Sequence, residues 1–401
     1  MTSPHIAFKQ TMASLTQQSG SPFEVQNTRI NGIAYKHYVN APSTLHDLVA
    51  PARDSGSQEF MAYLDERWSF DDFFAQADQL AFQLANQLQI NKGHHVAIAM
   101  RNYPEWLVAF LAITRIGAVA VPLNSWGNAE ELRDLVDDSQ AKLVICDQRR
   151  WELINPAAQG IPAVVVRAEQ DTFAEGCISL ERLLEQLPRD WQLGHANISG
   201  EDTAMIMYTS GTSGRPKGAT FTHRACCQAV VNLEAGGATA YMTHMENFNQ
   251  QMQLGLPPKG LLAVPLFHVS GLYSQFLMSL RGGRGLVLMY KWDPLEACRL
   301  IEEHRITSLM GAPSMMLELT QAPEFEALDR DAIISVSGGG AATPPALTDN
   351  IKRLLPNALP GAGWGMTESG GAGCSFSGSS LQATPTASGF VSPIIDLRFL
   401  A

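Results

Sequence analysis

The sequence is poor in the features that mark exported, membrane-spanning or nucleic-acid-binding chains. Its six cysteines, Cys146, Cys177, Cys226, Cys227, Cys298 and Cys374, have no metal-ligand spacing, and adjacent Cys226-Cys227 is not a CxxC pair. Scattered free thiols suit a reducing compartment. The first twenty residues lack a basic start followed by an apolar core, so no secretory signal is read there. The longest apolar tract, Leu107 to Leu123, is interrupted by Arg115 and Gly117 and reads as a helix running into a strand, not a membrane span. A net charge of -11 leaves no basic surplus to neutralise phosphates, which argues against nucleic acid as a partner. No short-period repeat and no long charge run is present. A cytoplasmic protein is expected. Oligomeric state is not readable, and a homodimer stays open.

What remains describes a well-buried globular chain. Hydrophobic residues make up 45% and charged residues 17% of 401 positions, enough for two or three large packed units. Short apolar runs at His95-Met100, Ala118-Leu123, Lys142-Asp147 and Ala163-Arg167 alternate with helical patterns at Glu105-Ile116 and Ala129-Asp138. Asp71-Leu88 reads as a further helix. A second series follows Asp202: strands Ala204-Met207, Leu261-Phe267, Gly285-Tyr290, Thr307-Met310 and Ile333-Ser337, with helices from His223, over Gly271-Leu280 and from Asp293-Pro294 to His304. Strands apolar throughout and separated by helices predict parallel sheets covered on both faces. The fold class is α/β: two tandem, doubly wound, mostly parallel subdomains over 1–200 and 201–380, joined near Asn197-Asp202. Glu234 to Gly260, rich in Gly and Pro, reads as an irregular excursion.

In open parallel sheets, ligands bind beyond the carboxyl ends of strands. Four polar motifs stand there. Tyr208-Thr209-Ser210-Gly211-Thr212-Ser213-Gly214-Arg215-Pro216-Lys217-Gly218 follows the strand ending at Met207. Its glycines let main-chain N–H groups approach phosphate oxygens, its hydroxyls can donate, and Lys217 adds a point charge. A mobile Gly/Ser connector has similar composition. The nucleotide loop of kinases and ATPases needs Gly-Lys-Ser/Thr at its end, whereas Lys217 lies between Pro216 and Gly218. The other motifs are Pro265-Leu266-Phe267-His268, Ser337-Gly338-Gly339-Gly340-Ala341-Ala342 and Gly363-Trp364-Gly365-Met366-Thr367-Glu368-Ser369. A lone His in an apolar stretch is commonly a satisfied core residue, a Gly-rich turn is commonly only a turn, and a Glu is commonly a solvated surface carboxylate.

The eleven-residue loop closely resembles the phosphate loop of the ANL superfamily of adenylate-forming enzymes, which includes acyl-CoA synthetases, luciferases and peptide-synthetase adenylation domains. Arg101-Asn102-Tyr103-Pro104-Glu105-Trp106 and Gly117-Ala118-Val119-Ala120-Val121-Pro122-Leu123-Asn124 also resemble acyl-CoA synthetase sequence, and the likeness runs from about His95 to Pro393. It implies that Thr209, Ser210, Gly211, Thr212, Ser213, Gly214 and Lys217 grip the phosphates of ATP. Gly339, Gly340 and Ala341 would form a flat wall against the adenine, with Ala342 where the family usually has Pro. Gly363, Trp364, Gly365, Met366, Thr367 and Glu368 resemble the Tyr-Gly-x-Thr-Glu motif with Trp for Tyr, and an indole still stacks on a purine. Glu368 and Thr212 would hold Mg²⁺ together with substrate phosphates. His268 would border the carboxylate and the acyl channel in a positioning role. Thr212, Lys217, His268 and Glu368 are therefore the expected catalytic set.

The implied activity is an AMP-forming acid–thiol ligase using ATP, Mg²⁺, a small carboxylic acid and coenzyme A. Val269 to Leu280 would line an acyl tunnel, although an ordinary core helix has the same pattern. No charged residue stands ready for an amino acid's ammonium group, which favours a medium- or long-chain fatty acid, with an aryl acid second. Ser388 to Pro393 resembles the start of a small β-subdomain, of which 381–401 would be a remnant. The family's ribose-binding Asp, hinge residue and small domain with its catalytic Lys would fall beyond Ala401. On that reading the chain binds ATP and acid but turns over poorly. A phosphotransferase and a non-catalytic nucleotide- or acyl-binding module are the alternatives from other classes.

Overall fold

The apolar runs of the first half become adjacent parallel strands because each is buried on both faces. In the computed structural model, which describes residues 3–169, 176–194, 196–209, 216–371 and 373–399, strands His95–Ala99, Val119–Pro122, Leu143–Asp147 and Ala163–Val166 pair in parallel. The sheet runs Lys217–Thr222, Thr203–Thr209, Val119–Pro122, His95–Ala99, Leu143–Asp147, Ala163–Val166, Cys177–Ser179. Residues 43–226 and 265–268 form this unit, and residues 1–42, 227–264 and 269–401 form the other. Mixed α/β architecture with parallel sheets flanked by helices is thus as expected. The division is spatial rather than tandem at residue 200. Strand Thr203–Thr209 pairs with Val119–Pro122 in the sheet of the first half, because its apolar Ala204, Met205 and Met207 extend that buried surface.

Helix Pro104–Arg115 begins with Pro in its first turn and is buried from Pro104 to Thr114, the expected fate of a helix apolar on every side. Trp106 is wholly buried and stacks on Phe110 at 5.7 Å. Helix Ala129–Ser139 is amphipathic instead. A reciprocal Asn128/Glu131 capping box starts it, and Leu132, Leu135 and Val136 face the core. Asp147, at the end of its strand, accepts from Arg101 N at 3.1 Å and caps Arg150 N at 3.0 Å. The Arg150 guanidinium pairs with Asp147 at 3.3 Å and donates to Ser125 O at 2.9 Å. Three neighbouring strand ends are thereby tied together by one buried ion pair.

In the other unit, strands lie in the order Phe390–Val391, Cys374–Ser377, Leu359–Trp364, Ser335–Gly339, Ser308–Gly311, Lys259–Leu262, Gly285–Leu288. From Leu359–Trp364 to Gly285–Leu288 the pairing is parallel; the two C-terminal strands turn antiparallel. Asp293 caps helix Pro294–His304 through Leu295 N and Glu296 N, as expected. Helix Pro4–Gln17 and the hairpin Val25–Ile30/Ile33–Tyr38 complete this unit.

Several elements differ from the expectation. A strand not expected from the sequence, Lys217–Thr222, pairs antiparallel with Thr203–Thr209, and the helix then begins at His223 as expected. Gly218 and Ala219 dilute the alternation, yet an added Cβ at Gly218 would lie 2.7 Å from Ile206 Cγ2, so glycine permits the close pairing. Glu234 to Gly260 is largely helical: His223–Thr243 runs through Gly236 and Gly237, and Met245–Gln253 follows. Each glycine costs a helix about 1 kcal/mol, which buried Val230, Val231, Ala235 and Thr239 offset by packing. The strand expected over Leu261–Phe267 ends at Leu262, and the helix expected from Gly271 contains a π-helical stretch, Leu272–Leu277.

Two stability outcomes follow. Trp106→Ala should cost about 3–5 kcal/mol by urea unfolding, because it empties a wholly buried site. His223 is fully buried, its Nδ1 accepts from Leu45 N at 3.3 Å, and burial lowers its pKa from 6.5 to about 4. The unfolded chain therefore binds the extra proton first. Stability from this group is complete above pH 6.5 and is lost as pH falls towards about 4. That loss is on the order of 3 kcal/mol. Unfolding midpoints of the wild type and His223→Asn between these limits should show the slope flattening in the variant.

Candidate functional site

Register brings two of the four motifs side by side. Strand Ser335–Gly339 pairs in parallel with Leu359–Trp364, with Ser337 opposite Gly361, Gly338 opposite Ala362 and Gly339 opposite Gly363. Both strands end at the same edge, so Gly339-Gly340-Ala341 and Gly363 to Glu368 emerge as neighbours. The approach is close: a Cβ at Gly361 would lie 2.5 Å from Ser337 Oγ. Gly340 has φ +85°, a conformation that side chains disfavour, and Gly340, Ala341 and Ala342 are exposed. Strand Ser308–Gly311 ends beside them, with Gly311 opposite Gly338.

Trp364 is 43% exposed, an unusual state for so large an apolar ring. One part of the indole is held against Gly373, where an added Cβ would come within 2.6 Å of ring atoms. Gly373 N also donates to Trp364 O at 2.9 Å. The ring is thus fixed by backbone on one side and accessible on another, which makes it a platform for a planar group. Beyond it the chain tightens into a 3-10 turn, Thr367–Ser369. Ser369 Oγ accepts from Met366 N and donates to Met366 O, both at 3.1 Å, and Gly371 N donates to Met366 O at 2.9 Å. Gly370 is needed there, because a Cβ would lie 2.7 Å from Ala229 Cβ at φ +65°. The turn presents Glu368 exposed, with no hydrogen bond or ion pair to the described residues. A rigid turn offering an uncommitted carboxylate fits a hard cation completed by ligand oxygens. Among the described residues no group of three His, Cys, Asp or Glu forms a metal cage.

In the other unit, Ser210, Gly211, Thr212, Ser213, Gly214 and Arg215 lie outside the described residues. Their flanks are described. Thr209 Oγ1 donates to Lys217 O at 3.4 Å across the antiparallel pair, and Lys217 is exposed. Tyr208 OH donates to Asp138 Oδ2 at 2.6 Å; burial first, and then that carboxylate, push its pKa up. The strand ends flanking the loop are therefore anchored while Lys217 stays free to reach a ligand. His268 reaches solvent on one side, and burial of its ring lowers its pKa, so it is neutral at neutral pH. Asn102 Oδ1 accepts from Leu266 N at 3.1 Å and holds this motif in place, while Phe267 stacks edge-on to Trp126 at 6.2 Å. Asn102, Asp138 and Gly373 were not singled out from sequence as site-supporting residues. Asn102 falls within a stretch noted there for its structural role, but its reach to Leu266 spans 164 positions and leaves no local pattern.

Comparison with known proteins agrees with this geometry. The description AMP-binding enzyme matches residues 49–399, most of the chain. The chain belongs to the AMP-binding enzyme family. Among curated relatives, it is 28% identical to 4-coumarate–CoA ligase 3 of Arabidopsis thaliana over 309 residues, 77% of this chain and 53% of that protein. The chain thus spans about half the length of the curated relatives it matches. The N-terminal domain of FACL13 from Mycobacterium tuberculosis superimposes with a TM-score of 0.72 at 24% identity, covering 87% of this chain and 82% of that one. A fatty acyl CoA synthetase of Mycobacterium tuberculosis gives 0.71 at 25% identity, covering 88% and 65%. These likenesses establish the AMP-binding family and its α/β fold. The ANL resemblance read from the loop is the same family. No helix among the described residues is long and apolar enough to cross a membrane.

If Gly373 is what seats the indole, Gly373→Ala should lower unfolding stability by about 1–3 kcal/mol through overpacking. Adding Trp364→Ala should recover part of that loss. Urea titrations of both single variants and the double variant complete the cycle.

Proposed function

We propose that this AMP-binding chain is the ATP- and acid-binding part of an AMP-forming acid–thiol ligase. The observation that carries the reading is the shared edge of Gly339-Gly340-Ala341 and Gly363-Trp364-Gly365-Met366-Thr367-Glu368, with an accessible indole and, four residues on, a carboxylate unpaired among the described residues. Trp364 would stack on adenine, with the glycines leaving room for the planar base. Thr367 and the loop from Thr209 to Gly214, with Lys217, would donate to phosphate oxygens. Glu368 and Thr212 would hold Mg²⁺, which when bound neutralises charge on the phosphates.

In the reaction proposed, a substrate carboxylate oxygen attacks the α-phosphorus of ATP. The bond to pyrophosphate breaks and an acyl-adenylate forms. A thiol, coenzyme A in this reading, then attacks the acyl carbon and releases AMP. Negative charge gathers on phosphate oxygens in the first step, so the chain's part is positioning and charge stabilisation. Neutral His268 would orient the carboxylate rather than protonate it. For the acid, a medium- or long-chain fatty acid is the leading reading, in keeping with the name of the fatty acyl CoA synthetase of Mycobacterium tuberculosis. The 4-coumarate ligases among the relatives favour an aryl acid as the second reading.

Binding and exchange measurements test this. The chain should bind ATP with Mg²⁺ in a calorimetric titration, and Trp364→Ala should weaken it about ten-fold through lost stacking. Lys217→Ala should weaken it about ten-fold or more, while Glu368→Gln should abolish the gain from Mg²⁺. In the protein carrying any further domain, radiolabelled pyrophosphate should exchange into ATP only when a carboxylic acid is supplied. Acid-independent release of orthophosphate would sink the ligase reading in favour of an ATPase, and tight ATP binding with no exchange would favour a binding module.

A further inference from the structure

The unit containing Trp364 has a separate cavity of about 760 Å³ between helix Pro4–Gln17, the hairpin Val25–Tyr38, helix His223–Thr243 and the segment Gly389–Pro393. That size is ordinary for a small-molecule site. One wall is apolar: Phe8 stacks on Phe390 with centroids 5.2 Å apart, and Met12, Val25 and Pro393 continue the surface. Gly389, at φ +107°, lies so close to Ser375 that a Cβ would meet its backbone at 2.5 Å, which keeps this wall open only for glycine.

Among the polar side chains of the lining, Asn232 and Lys9 can donate. Asn232 is 5% exposed, and its Oδ1 accepts from Tyr38 OH at 2.8 Å. That bond orients the carboxamide and leaves Nδ2 without a hydrogen bond to the described residues, so it can donate to an acceptor on a ligand. Lys9 Nζ sits 5.3 Å from the Phe390 ring centroid and has no ion pair among the described residues. Lys36 stands at the rim, paired with Asp396 at 2.5 Å. In a chain of net charge -11, a hollow where Lys9, without an ion pair among the described residues, and Asn232 stand beside an aromatic wall suits an anionic head on an apolar body.

We propose that this cavity binds an amphipathic carboxylate, a medium-chain aliphatic acid, with its head between Lys9 and Asn232 and its chain against Phe8, Met12 and Phe390. The inference does not rest on the adenylating reading. Ser375, which lines the cavity, pairs with Gly363, so the site lies one strand behind the Trp364 motif.

The test uses a fluorescent acid, 11-(dansylamino)undecanoate, titrated into the full chain without nucleotide. One saturable site is expected, with decanoate displacing the probe at least about ten-fold better than decanol, the factor expected of a charge-assisted hydrogen bond. Lys9→Glu, an exposed substitution, should weaken probe binding by about ten-fold or more with the unfolding midpoint unchanged. Asn232→Leu should do so too, and if that variant unfolds, Lys9→Gln gives the second measurement. Absence of saturable binding, equal displacement by decanol, or wild-type affinity in the Lys9 variants would each overturn the proposal, the last by placing the probe elsewhere.

Discussion

Parallel strands joined through helices must all deliver their carboxyl ends to one edge, and this constraint decides where chemistry can gather in the chain. In the unit holding Trp364, the pairing of Gly339 with Gly363 sets the outcome. A slip of one residue would turn every side chain of one strand to the opposite face and shift Gly339-Gly340-Ala341 relative to the Trp364 motif. Small residues make that register possible, since Gly361 passes Ser337 and Gly373 passes the indole at distances no side chain tolerates. The same glycines that look like permissive loop material are positions where two backbones, or a backbone and a ring, must touch.

The other unit meets the constraint differently. Its strand ends are secured by side chains: buried Asp147 reaches Arg101 and Arg150, and Arg150 reaches Ser125. A buried ion pair contributes little net stability against hydrophobic replacements, because desolvation consumes most of the attraction. Its geometric role is clearer, since one carboxylate fixes the starts of several loops at once. Glu105 shows a related compromise. Burial raises its pKa, and Arg167 opposes that rise at 3.0 Å while lying over the rings of Tyr63 and Tyr103.

Most of the parallel strands were legible because full burial leaves an unmistakable apolar run, as at Val96–Ala99 or Val164–Val166. Capping chemistry at Asp293-Pro294 was legible for the same reason: the signal is local. Strand Lys217–Thr222 was not, because it lies at the sheet edge with only Phe221 buried and so carries no apolar run, and glycine at 218 supplies no pattern. The helix through Gly236-Gly237 was missed because composition ranks glycine as a breaker, whereas packing along Val230, Ala235 and Thr239 outweighs propensity. At the site, motif residues were readable by resemblance, but their supports were not. Asn102 and Asp138 act through partners 164 and 70 positions away, and Gly373 acts through a close approach to the indole that no composition reveals.

Electrostatics gives the proposed nucleotide edge its strictest demand. Glu368 is an exposed carboxylate with no partner among the described residues, carried on a turn that cannot easily move it. A carboxylate and a phosphate oxygen about 4 Å apart would repel by about 4 kcal/mol at the effective dielectric of a protein surface. The net charge of -11 adds to that repulsion rather than relieving it. On the proposed reading, a divalent cation held by Glu368 would offset that penalty and help to orient the phosphates. Glu368 would then favour ATP with Mg²⁺ over ATP alone.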